Sequence, residues 1–171
     1  MKKHLRSEQG FTLLEVMIGI SLMMVLLPGM LNLFSTSINI WNIENNHTNM
    51  QQSVRIAVDK IIRNIRIAQG INLNHPQSLT VTKLNGETNT FQLGGGLHEK
   101  TLYMIIDKTQ AIPLGGISTN PLTENVVTDL VFAPYPDSAN IQAVTITLEV
   151  TDNSTGEKQT IQTAGYPWNT N

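Results

Sequence analysis

Between Phe11 and Phe34 the chain runs for 24 residues with a single charged side chain, Glu15. At about 1.5 Å of rise per residue, a helix of that length spans ~36 Å, more than the ~30 Å hydrocarbon core of a bilayer. The segment is Leu, Met, Ile and Val with no polar face, so it cannot be the surface helix of a water-soluble domain. Everything else in the chain has to be compatible with a stem of this kind.

The flanks give the stem a direction. The leading stretch MKKHLRSEQG holds Lys2, Lys3 and Arg6 against Glu8. An excess of Lys and Arg on a short flank puts that end in the cytoplasm. Beyond the stem the chain is polar, rich in Asn and Thr, and mildly acidic. The order is a basic head, an apolar stem and a soluble body. The formal net charge of −2 gives no electrostatic reason to expect a nucleic acid partner. The absence of cysteine removes disulfide frameworks and thiolate chemistry.

Three readings of the stem compete. A secretory signal needs a shorter apolar region followed by a small-residue cut site, for which Ser35 and Ser37 are poor candidates. A plain membrane anchor fits the length. It leaves Glu15 unexplained, because a carboxylate inside hydrocarbon costs ~2.5 kcal/mol or more, unless the side chain lies near enough to the headgroups to reach water.

The third reading is a resemblance. The sequence G-F-T-L-L-E-V at residues 10–16, after a short basic leader, resembles the signal of type IV prepilins and type II secretion pseudopilins. The resemblance implies that a prepilin peptidase cuts between Gly10 and Phe11. Phe11 would become an N-methylated first residue, and residues 1–10 the discarded leader. Glu15 matches the family's acidic residue. In a filament it would meet the amine of a neighbouring subunit, a pairing that makes a carboxylate tolerable in low dielectric. Other partners implied are further pilins or pseudopilins, through the stem, and the inner or plasma membrane. The chain would be single-pass, with its N-terminus cytoplasmic and its body extracytoplasmic before entry into a filament.

Pro28 and Gly29 stand inside the stem. Proline removes a backbone donor and crowds the preceding turn, and glycine weakens the helix further. A kink is expected there, or local melting over Asn32 to Ser37. In pilins such a break would ease departure from the membrane; a static kink without a role is the alternative.

From Ile38 the chain turns polar but keeps a helical period. Val54, Val58, Ile61, Ile65 and Ala68 recur at three- and four-residue spacing, beside Ala57 and Ile62. Arg55, Lys60, Arg63, Asn64 and Arg66 fill most other positions, and the four cations among them read as a solvated face rather than a binding patch. One helix is expected from Phe11 to about Gln69, ended by Gly70 as a cap. Residues 11–34 form its membrane part and residues 35–69 an amphipathic continuation.

Residues 70–171 read as β. Leu79 to Leu84 and Glu87 to Leu93 alternate about Asn85-Gly86, a hairpin signal. Further strands are expected at Thr101 to Ile106, Val126 to Phe132, Ile141 to Thr151 and Lys158 to Ala164, the last two joined by a turn at Asp152 to Gly156. Gly94-Gly95-Gly96 lacks the setting of a phosphate loop and reads as a turn. The stretch 113–123, with Pro113, Gly115, Gly116 and Pro121, reads as a loop. The expected fold is α+β and pilin-like: one long N-terminal helix on an antiparallel domain of roughly five to seven strands. The block P-L-T-E-N-V-V-T-D-L-V-F and the strand V-T-I-T-L-E-V are similar to the larger, J-type minor pseudopilins and corresponding minor pilins. Trp168-Asn169 departs from the Arg-Asn pair common near the end of such relatives.

No chemistry of catalysis is legible. His4, His47, His75 and His98 have no metal-ligand spacing, and there is no G-x-S-x-G. Asp152 to Glu157 has a faint likeness to a calcium loop but reads better as a turn. Asp107, Asp129 and Asp137 make no stronger case. No metal, cofactor or catalytic residue is expected. The leading expectation is a structural subunit, not an enzyme, working in assembly priming near a filament tip. The alternative is a membrane-tethered extracytoplasmic binding module that does not polymerise.

Overall fold

The computed structural model describes residues 11–95, 99–108, 116–138 and 140–168. The described elements are one helix, α1 (Leu13–Arg66), followed by β1 (Gly70–His75), β2 (Ser78–Thr82), β3 (Thr88–Leu93), β4 (Leu102–Asp107), β5 (Ile117–Pro121), β6 (Val127–Pro136), β7 (Ile141–Thr151) and β8 (Lys158–Gly165). The chain divides into two compact units, Met1–Asn42 and Ile43–Asn171. In the described part of the first, every residue of the helix is exposed.

The second unit holds the core. Its strands form two antiparallel sheets, ordered β1-β2-β3-β4-β5 and β6-β7-β8. Met50, Val54, Ala57, Ile61 and Ile65 of α1 are buried among residues of both sheets: Leu79, Val81, Phe91, Leu102 and Met104 of the first, and Val127, Leu130, Phe132, Ile146 and Leu148 of the second. The expected apolar stripe is therefore the packed one, although Val58 and Ile62 are only partly buried at its margin. Strand alternation does the same on the sheets. In β7, Val144, Ile146, Leu148 and Val150 are buried and the residues between them are not. A register shift between Val127 and Asp129 lets β6 bury Val127, then Leu130 and Phe132, out of strict alternation.

Several expectations need correction. The helix ends at Arg66, and Gly70 begins β1 instead of capping α1; its φ is not positive, and the last turn closes through Ala68 N–H to the Ile65 carbonyl at 3.1 Å. Of the two outcomes expected at Pro28 and Gly29, a kink or local melting, the melting over Asn32 to Ser37 does not occur: α1 is helical throughout, a continuity that a kink does not interrupt. An interior proline removes one hydrogen bond and crowds the preceding turn, which can bend a helix without ending it. The strand count among the described residues is eight, above the expected range. The additions are β1 and β5. Ile117–Pro121 falls in the stretch read as a loop, and it is an edge strand with every residue exposed, so no apolar alternation marks it. Asn64, which stands among the positions between the apolar residues, is buried: its Nδ2 donates to the Lys60 carbonyl at 2.8 Å, and the Asn89 amide lies 2.5 Å from its Oδ1.

The hairpin at Asn85-Gly86 forms, but not as a two-residue turn. Thr82 pairs with Thr88, Lys83 N–H donates to the Glu87 carbonyl, and Gly86 N–H donates to the Lys83 carbonyl. Only Gly86 has positive φ, at 80°, and Asn85 does not, which is the pattern of a type I turn closed by a left-handed glycine. The expectations for Gly96, Pro113 and Gly115 lie outside the described residues.

Candidate processing and assembly site

The stem begins with a cap. Thr12 precedes the first helical residue, Leu13, and its hydroxyl accepts from Glu15 N–H at 3.3 Å. In return Glu15 Oε2 accepts from Thr12 N–H and from the Thr12 hydroxyl, each at 3.0 Å. The sequence T-L-L-E is thus a capping box, in which N-cap and third helical residue satisfy each other's backbone donors. A negative charge in the first turn also suits the positive end of the helix dipole. Glu15 therefore has local partners, a second explanation for an acid at this place that the sequence reading lacks. The S/T-x-x-E spacing is the signal that carries it.

Phe11 stands immediately before the cap, exposed. Gly10, the residue before the expected cut, lies outside the described residues, as do the cations of the head. Pro28 and Gly29 sit within α1, both exposed, and a side chain at Gly29 would meet only open space. Ser21 satisfies its hydroxyl by donating to the Met17 carbonyl at 2.8 Å, so it adds no unpaired polar group to the apolar surface. α1 is the one helix among the described residues long and apolar enough to cross a membrane, and no part of that window is buried. An apolar surface of this extent is stable only against lipid or against other such helices.

A second constellation lies within the second unit. Asp152, buried at the β7–β8 turn, accepts from Ser154 N–H (2.7 Å) and Thr155 N–H (3.2 Å) through Oδ1. Its Oδ2 meets His47 Nδ1 of α1 at 2.9 Å, and Gln51 braces His47 from the following turn of the helix, 2.9 Å from Nε2. Asn46 adds a bond to the Ser154 hydroxyl at 3.0 Å. Gly156, at φ 73°, closes the turn. The carboxylate weighed as a calcium ligand is thus spent on an Asx-type turn and on fastening that turn to α1. His47 and Asp152 are 105 residues apart, so no local spacing announces the pair.

These bonds hold the Asp152 carboxyl below the usual carboxylate range, the His47 hydrogen bond contributing most and the Ser154 N–H next. A folded value below the unfolded one contributes stability that is present above the unfolded value and lost as pH falls through the folded one. Asp152→Ala should therefore destabilise the domain by ~1–3 kcal/mol near neutral pH, the range for losing hydrogen bonds to a charged group. In urea titrations the gap between wild type and variant should narrow as pH drops below about 4. A gap constant down to the acid limit would mean that the carboxylate charge is not what fastens the turn.

The family model described as the prokaryotic N-terminal methylation motif matches residues 5–27. No curated protein and no solved structure matches the chain. The matched span covers the junction of Gly10 and Phe11, the capping box and most of the stem. The chain carries a prepilin-type N-terminal signal on a helix fit for membrane anchoring, joined to an α+β, pilin-like body.

Proposed function

We propose that this protein is a minor pilin or pseudopilin. In this reading prepilin peptidase removes residues 1–10, Phe11 is methylated, and the stem carries the subunit from the inner or plasma membrane into a type IV pilus or a type II secretion-like filament. Its place would be in assembly priming near the tip. The observation that carries the reading is the coincidence of the methylation motif with a helix that starts, capped, at Leu13. Cleavage after Gly10 would put a positive amine two residues before the helix, at the positive end of its dipole, where a cation is unfavourable. Glu15 is the anion in place to offset it, in its own chain or in a neighbour's.

The proposal is tested by Gly10→Val. A glycine before the cut leaves the backbone open to close approach by a protease, and a β-branched residue does not. The variant should accumulate as a full-length, unmethylated chain in the membrane, read by mass spectrometry of its N-terminus. An unchanged mass beginning at Phe11 would remove the basis of the reading.

One observation favours a tethered binding module instead. Because the capping box satisfies Glu15 locally, an acid at that position does not by itself require a neighbouring subunit. Entry of Glu15 variants into filaments separates the two readings.

A further inference from the structure

The stretch between Glu15 and the next charged residue, Glu44, has no charge over residues 16–43. As helix this is ~42 Å, about the full thickness of a bilayer with its headgroup layers and some 12 Å more than the hydrocarbon alone. The surplus has a composition of its own. Leu, Met, Ile and Val give way at Ser35 to S-T-S-I-N-I-W-N-I, in which Ser35, Asn39 and Asn42 share one side of α1 while Ile38 and Trp41 extend the side of Phe34. Trp41 is 65% exposed, and Ile38 and Ile40 are exposed beside it, so the described residues leave them uncovered.

Two limiting depths bracket where this surface lies. If Glu15 sits at the cytoplasmic edge of the hydrocarbon, ~30 Å of helix brings the opposite edge to Ser35, and the Trp41 backbone is ~9 Å beyond it. If Glu15 sits ~6 Å out among the headgroups, the edge falls near Asn39 and Trp41 is ~3 Å beyond. Side chains on a helix lean toward its N-terminus, so the indole covers the turn before its own backbone. At either limit the ring falls within or against the headgroup layer of the far leaflet. An amphipathic indole, apolar in body and with one N–H donor, is suited to that layer.

We propose that residues 35–43 are a lipid-interface segment, with Ile38, Ile40 and Trp41 seated in the outer headgroup layer. They fix the depth at which the stem waits before assembly. Glu15 marks one face of the bilayer and Trp41 the other. The proposal rests on the membrane-spanning reading of α1, and its test keeps the two separable.

The experiment uses the full chain with Trp168→Phe, so that Trp41 is the remaining indole, in phosphatidylcholine and phosphatidylglycerol vesicles. Bromines placed near the carbonyl end of the acyl chains should quench Trp41 most, bromines near the chain terminus less, and aqueous iodide little. Val25→Trp, added to Trp41→Phe and Trp168→Phe, serves as the mid-span reporter and should show the opposite depth order. If Val25→Trp is quenched by deep bromines while Trp41 ignores bromolipids and is open to iodide, the interface proposal falls and the span stands. Deepest quenching of Trp41 by chain-terminal bromines would also overturn it, by placing Ser35 to Ser37 inside the hydrocarbon. If neither indole responds to bromolipids, the membrane-spanning reading fails first and the interface proposal with it.

Discussion

Glu15→Ala is expected to yield a protein that reaches the membrane, is cut after Gly10, and is missing from filaments. Insertion should be unharmed, because the change makes the stem more apolar, and the cut site is untouched. Loss of the carboxylate has two separable consequences. The capping box opens, leaving Thr12 N–H without its side-chain acceptor, a small and local loss. In a filament, the neighbouring amine would be left as a buried charge without a partner, which costs ~3 kcal/mol or more, about a hundredfold in an equilibrium. Glu15→Gln divides these effects. Glutamine can complete a capping box and can accept a hydrogen bond from an amine, but it carries no charge. A capping role alone predicts that Glu15→Gln enters filaments like wild type; a pairing role predicts reduced entry. We expect the second. Sheared filaments probed for the variant, with membrane fractions as control, decide it. Glu15→Ala at the wild-type level in filaments would favour the tethered module.

What was legible in the sequence divides by how far each interaction reaches along the chain. The membrane stem and its signal depend on neighbours within a few residues and could be read directly. So could the face of Val54, Ile61 and Ile65, since helical period reports one-sided burial wherever the partner surface lies. The hairpin of β7 and β8 was clear for the same reason: alternation on both sides of a turn rich in Asp, Asn, Ser and Gly. β1 was missed although Ile71 and Leu73 alternate, because that run is short and both are only partly buried. β5 buries nothing, so its existence depends on pairing with β4 and leaves no hydrophobic trace. Asn64 and His47 are harder still. Each is a polar residue on a helix, indistinguishable from a solvated one until Asn89 or Asp152 is brought to it from elsewhere in the chain. At the capping box the difficulty was of another kind. The S/T-x-x-E signal is local, but an acid at that position is equally accounted for by the prepilin-type resemblance, so spacing alone does not separate the two roles of Glu15.

Ile61→Ala should be among the most damaging truncations on the helix, and a chain beginning at Ile43 is the place to measure it. That unit contains the buried face of α1 and both sheets, so it is expected to fold without the stem, with mixed α and β circular dichroism and a cooperative melt. Ile61 is fully buried, in a core cluster that draws on both sheets. Removing its side chain beyond Cβ forfeits its transfer free energy and leaves a cavity that the surrounding core can fill only in part. The expected loss is ~2–5 kcal/mol, a large fraction of the ~5–15 kcal/mol that holds a domain of this size together. Arg63, two residues on, faces solvent, and Arg63→Ala should change stability by no more than about 0.5 kcal/mol. Urea denaturation of both variants measures the contrast. Equal effects would mean that α1 is held by its exposed charges rather than by its apolar stripe, and the helix would then be an appendage of the sheets instead of the element their apolar faces pack on.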